Sequence, residues 1–184
     1  MSIRNTSTWG GVSKALHWLI AALILGQGIF GLVMGDIGSR STQLQLYGLH
    51  KSIGFTILAL VVLRLLWRLL AGAPPAVAGT AKWQHTLASA THVALYVLMF
   101  VVPISGWVLS SAAGGYNQGW FGLFDVPSLV AQNSTLRDLA GEVHEISFWL
   151  LMLLAFGHVA AALYHHLFLN DATLRRMLPG KGER

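Results

Sequence analysis

Four stretches of this chain are apolar over lengths that a water-soluble fold seldom uses: about residues 15–34, 49–71, 86–110 and 141–169. A helix needs roughly 20 such residues to cross a bilayer. Within the hydrocarbon each backbone group must find its partner inside the spanning structure, which favours helices for segments of this length. The expected fold is therefore all-α: an integral membrane, antiparallel four-helix bundle, forming a single domain over residues 1–184. Composition agrees. The chain is 54% hydrophobic and 10% charged, with a mean hydropathy of +0.60. A soluble domain carries about 25% charged residues, so this one lacks the charge to cover a surface facing water.

Between the apolar stretches the punctuation is clear. The run "GAPPAVAG" at 72–79 ends the second. Pro103 and Gly106 interrupt the third. The longest connection, about 111–140, contains "YNQGWFGLFDVPSL", whose aromatics suit a membrane interface. The first stretch lacks a small-residue cleavage site and is expected to persist as a mature helix.

The net charge of +5 invites a nucleic-acid reading, but the placement of the cations fits membrane topology instead. With the N-terminus inside, one side holds Arg4, Lys14, Arg64, Arg68, Lys82, Arg175, Arg176, Lys181 and Arg184. The other holds Arg40, Lys51 and Arg137. The positive-inside rule then places both termini in the cytoplasm.

Ionisable side chains are costly in a bilayer and mark function there, which draws attention to the histidines. His17 lies near the inner end of the first span and His50 at the outer end of the second. His144 and His158 lie at the outer and inner parts of the fourth. Fourteen residues rise about 21 Å and leave two side chains only about 40° apart around a helix, so His144 and His158 share one face at two depths. Two levels result: His17 with His158, and His50 with His144. Arg64, fourteen residues after His50, shares its face at the inner depth.

The chain has no cysteine, which excludes disulfides, thiolate metal sites and covalent haem attachment. Zinc usually takes four ligands, and each level offers two. A haem supplies four nitrogens itself and needs only axial ligands. Two imidazoles at one level match a six-coordinate b-type haem. Two such haems per chain are expected, with Gly54 and Gly157 letting a flat macrocycle approach the backbone. A histidine hydrogen-bonded to a neighbouring helix is the plain alternative for any one of these residues taken alone.

The segments "KALHWLIAAL", "LHKSIG", "VVLRLLWRLL", "THVALYVLMFVVPISGW", "VHE" and "GHVAAALYHHLFLNDATLRRMLP" together resemble the bacterial cytochrome b-561 family. Its members are small four-helix, di-haem membrane cytochromes, and the resemblance covers nearly the whole chain. It implies iron ligation by His17, His50, His144 and His158. It further implies an oxidoreductase of the bacterial inner membrane that oxidises superoxide and reduces ubiquinone. Family relatives serve instead as cytochrome subunits relaying electrons between a dehydrogenase or hydrogenase partner and quinone. A small transporter or metal-binding membrane protein is the reading from another class.

Within that resemblance several residues carry two readings. Arg64 either snorkels to the headgroups or pairs a haem propionate. His92 either makes a structural hydrogen bond or contacts the inner haem, whereas His85 reads as interfacial. His165 and His166 either complement the dipole at the end of their helix or bind and protonate quinone. Lys51 and Arg137 either mark helix ends or steer superoxide, with Asp125, Asp138, Glu142 and Glu145 opposing the second role.

Overall fold

The computed structural model describes residues 5, 8–77, 79–114 and 119–179. These form four helices: α1 Gly11–Val33, α2 Arg40–Ala71, α3 Lys82–Ala112 and α4 Ser134–Leu167. Each is long and apolar enough to cross a membrane, and no strand occurs among the described residues, beyond one isolated bridge between Trp120 and Phe124. Arg4, Lys181 and Arg184 of the charge pattern, and Tyr116, Asn117 and Gln118 of the aromatic run, lie outside the described residues.

The helices exceed their apolar windows, and the reason is local. Ser39 caps α2, its side chain accepting from the Thr42 amide at 3.4 Å. Asn133 does the same for α4 through the Leu136 amide at 2.9 Å. Such caps satisfy amides that the first helical turn leaves without partners. As a result His50 stands ten residues inside α2 rather than at its start. At the far end, α2 stops at Gly72, whose φ of 72° belongs to glycine. The expected interruption of the third stretch is absent: α3 runs unbroken through Pro103 and Gly106. A proline removes one backbone hydrogen bond, which a helix packed among others tolerates.

Packing runs α1 on α2, α2 on α3 and α3 on α4, with far less between α4 and α1. That last seam is held by side chains; a Cβ on Gly28 would lie 2.9 Å from the Phe148 ring. At mid-depth Ile20, Ile57 and Val61 form a buried cluster, joined by Ile24, Tyr96 and Phe100. This layer separates the two ends of the bundle.

One end is tied by long-range bonds. Asn5 donates from its amide nitrogens to the carbonyls of Ala71 and Gly72. Beyond α4 the chain folds back, so that Trp18 Nε1 donates to the Met177 carbonyl at 2.9 Å and Arg176 to that of Pro75 at 2.9 Å. At the opposite end the α3–α4 connection tucks in. Phe121 N donates to Ser52 Oγ at 2.9 Å, and Trp120 Nε1 to Thr56 Oγ1 at 3.2 Å.

Candidate functional site

The bundle brings the histidines together as two pairs. The ring centres of His17 and His158 lie 6.2 Å apart with planes at 80°. Those of His50 and His144 lie 6.3 Å apart with planes at 76°. A metal bonded to both rings at about 2 Å, the usual metal–imidazole length, needs ring centres roughly 6 Å apart. Both pairs meet that spacing. Among the described residues no group of three or more His, Asp or Glu could hold a metal ion, so the donors come in twos. Two axial nitrogens and no equatorial ones fit a haem and do not fit zinc.

Space exists where the second pair requires it. A cavity of about 370 Å³ adjoins His50 and His144, with Gly28, Gly31, Gly54, Met99 and Phe148 among its walls. Its size falls in the usual range for small-molecule sites. Gly54 borders this cavity as expected, whereas Gly157 is exposed and has nothing within 4 Å of where a Cβ would stand. The glycines pressed against the rings are two others. A Cβ on Gly31 of α1 would come within 3.0 Å of His50, and one on Gly106 of α3 within 3.0 Å of His144.

The ring of His144 is oriented from behind. Its Nδ1 donates to the Val102 carbonyl at 2.8 Å, with Ser105 Oγ at 3.4 Å. A proton fixed on Nδ1 leaves the Nε2 lone pair for a metal, the usual arrangement behind a ligating imidazole. His50 differs: its Nδ1 is buried without a hydrogen-bond partner among the described residues, as is Gln27 Oε1.

At the other level His92 stands against the pair, its ring centre 5.2 Å from that of His158. Arg64 is half-buried and anchored. Its Nε donates to Tyr96 Oη at 3.1 Å and its Nη1 to the Ser13 carbonyl at 3.3 Å. Beside it Arg68 lies over the rings of Trp9 and Tyr96, at 5.4 and 6.0 Å.

The remaining residues marked in the sequence lie outside these levels. His165 Nδ1 donates to Asp171 Oδ2 at 2.5 Å in the last turn of α4, and His166 follows it, partly exposed. Burial alone would raise the Asp171 pKa. The hydrogen bonds from His165 and from Thr173, and the His165 charge, outweigh it and hold the carboxyl below its ordinary 3.8. Arg137 pairs with its exposed neighbour Asp138 at 2.8 Å. Lys51 is half-buried beside His50, and His85 is exposed with Ser89 at 3.4 Å.

Sequence reasoning alone does not find Gln27, Gly31, Gly106, the Val102 carbonyl or Asp171. All five act through approach between segments, and no spacing within one helix reports that.

The chain is similar to known proteins over nearly its whole length. The family model for prokaryotic cytochrome b561 matches residues 8–180. The chain is 36% identical over 180 residues to cytochrome b561 homolog 2 of Escherichia coli K12, covering 97% of this chain and 95% of the relative. It is 31% identical over 172 residues to a probable superoxide oxidase of Yersinia pestis, covering 90% and 93%. It is 30% identical over 168 residues to cytochrome b562 of Cereibacter sphaeroides, covering 89% and 90%. Four spanning helices and a match over nearly the full length lead to one conclusion: the chain belongs to the prokaryotic cytochrome b561 family, bacterial membrane cytochromes that carry haem b and transfer electrons.

Proposed function

We propose that this protein is a di-haem oxidoreductase of the inner membrane that oxidises superoxide at the outer face and reduces ubiquinone, with both termini cytoplasmic. The observation that carries this reading is the pair of histidine couples at 6.2 and 6.3 Å, set at two depths on one face of α4. The likeness to a probable superoxide oxidase supports the choice of substrate. In balance, two superoxide ions each lose one electron and leave as dioxygen, and ubiquinone gains two electrons and two protons to become ubiquinol. The haems, when bound, supply one-electron transfer, and the protein sets their position and potential.

His17 and His158 hold the inner haem and His50 and His144 the outer one. Arg64, anchored at one edge by Tyr96 and Ser13, offers its other N–H groups to a haem propionate, and the bidentate fork suits a carboxylate. Lys51, next to His50, steers the anionic substrate. Arg137 contributes little to steering because Asp138 shares its charge. On the inner side the Asp171 carboxylate accepts from His165 Nδ1, which leaves Nε2 for a quinone. There His165, with His166 beside it, delivers protons from the headgroup region. Ubiquinone is an exchangeable substrate in this reading, and the bilayer holds it in reach.

The purified protein is expected to give two b haems per chain by pyridine haemochrome, with superoxide-dependent reduction of a soluble ubiquinone analogue. One haem or none per chain overturns the architecture. Two haems without quinone reduction, in a protein that copurifies with a catalytic subunit, favours the relay role between a dehydrogenase or hydrogenase and quinone.

A further inference from the structure

The two members of the His50–His144 pair are supported unequally. His144 has the Val102 carbonyl behind it at 2.8 Å. His50 Nδ1 is buried with no partner among the described residues. Ligation through Nε2 puts the proton on Nδ1, and a buried N–H without an acceptor is rare in native proteins. Ligating histidines almost always donate that second N–H to something.

The same residue is touched by a second group with the opposite need. Gln27 Nε2 donates to the His50 carbonyl at 2.6 Å. Only the amide nitrogen can donate to a carbonyl, so the oxygen is the end left over, and that oxygen is buried and without a partner. Both residues line the 370 Å³ cavity. The ring packs against Gly31, one turn along α1 from Gln27 on the same face. A Cβ there would lie 3.0 Å from His50 Cε1, 3.6 Å from Nδ1 and 3.9 Å from Nε2. The Cε1–Nδ1 edge therefore faces α1, the helix that carries Gln27.

We propose that Gln27 is the positioning residue of the His50 ligand: its side-chain oxygen accepts a hydrogen bond from Nδ1–H when Nε2 binds iron, while its nitrogen stays on the His50 carbonyl. One amide then clamps one residue at both backbone and ring. The bond requires the ring and the amide to turn toward each other within the cavity that both residues line, where Gly31 adds no side chain. An acceptor behind the imidazole raises its basicity and so favours the ferric state. The inference rests on His50 being a ligand, which His50→Ala tests separately.

The experiment is a redox titration of the visible spectrum for the wild type, Gln27→Leu, Gln27→Met and Gln27→Glu, with haem transfer to apomyoglobin as a second measure. Leu and Met remove the acceptor. They should raise the potential of the His50–His144 haem by roughly a tenfold change in ferric preference, about 59 mV for one electron. They should also speed its loss to apomyoglobin roughly tenfold, leaving the other haem unchanged. Gln27→Glu keeps an acceptor and should hold the potential at or below the wild-type value. If Leu and Met leave both measures unchanged while His50→Ala loses one haem, Gln27 has no such role. If Glu raises the potential as Leu does, the effect is packing and the proposal falls. If His50→Ala retains two normal haems, the ligand assignment and this inference fail together.

Discussion

At the scale of single residues, the rings test the pairing directly. His17→Ala and His158→Ala should each remove one spectral component, and His50→Ala and His144→Ala the other, because in the proposed arrangement each leaves iron with one axial ligand. Loss of the same component in His17→Ala and His144→Ala would break the pairing. The planes stand at 80° and 76°. Near-perpendicular imidazoles leave the two iron dπ orbitals close in energy, so both ferric haems should give strongly anisotropic low-spin EPR signals. An ordinary rhombic spectrum would mean that the rings lie nearly parallel. A subtler check uses glycine. Gly106→Ala places a methyl group 3.0 Å from His144 Cε1 and 3.1 Å from Nδ1. Overpacking of this kind costs about 1–3 kcal/mol, here spent on displacing the ring from the Val102 carbonyl. The variant should shift the spectrum and potential of the His50–His144 haem and spare the other, in the same redox titration. The four ligand candidates were legible because polar residues stand out on apolar helices and because fourteen residues return to nearly one face. Gly31 and Gly106 were not, since a glycine matters there only through a ring from another helix.

At the scale of elements, hydropathy reported the thickness of a bilayer and not the extent of the helices. The windows end where Gln43, Gln45 and Arg137 appear, yet α2 and α4 continue outward to Ser39 and Asn133 because those caps close the hydrogen bonding. Pro103 likewise reads as a break in sequence, but neighbours on both sides hold α3 together. The α3–α4 connection hangs on Ser52, 2% exposed, whose Oγ donates to the Gly48 carbonyl at 3.0 Å and accepts from Phe121 N at 2.9 Å. Ser52→Ala removes the acceptor of the Phe121 amide, at about 0.5–1.5 kcal/mol for an ordinary hydrogen bond. Faster hydrogen exchange at 119–124, with both haems retained, is the expected outcome; unchanged exchange would place the anchor elsewhere. The segment after α4 is attached in a pH-dependent way. Asp171 has a native pKa below its unfolded value, so its contribution is complete above the unfolded value and is lost as pH falls through the native one. Attachment should therefore hold at neutral pH and weaken below about pH 4. Hydrogen exchange of residues 168–177, corrected for its intrinsic pH dependence, should rise there, and Asp171→Asn should show the rise already at pH 7. Equal protection in the two proteins at pH 7 would remove the His165 bond from this role.

At the scale of the whole molecule, the question is which way the bundle stands. Contacts hold Arg64, Arg68 and Arg176 at the end where α1 begins and α4 finishes, with Lys14 in the first turn of α1 and Arg175 in the segment after α4. Arg40, Lys51 and Arg137 belong to the other end, and the bias predicts that the first end is cytoplasmic. That end carries the His17–His158 level, the Asp171-bound His165 and the chain fold-back. The opposite end carries the 370 Å³ cavity, His50 and Lys51. Superoxide is an anion and crosses a bilayer poorly, so orientation decides which vesicles respond. Superoxide generated outside right-side-out vesicles should reduce both haems at once. In inverted vesicles the same treatment should reduce neither until detergent opens them. Since α4 spans both levels and the Ile20, Ile57 and Val61 layer fills the space between them, electrons entering at His50 and His144 have a packed apolar path to the second level. In the proposed reaction, protons for the quinone come from the side opposite to the electrons. Right-side-out vesicles holding a trapped pH dye should become alkaline inside as ubiquinone is reduced. Reduction with no interior pH change would show that quinone draws its protons from the outer face, and His165 and His166 would keep only their place at the helix end.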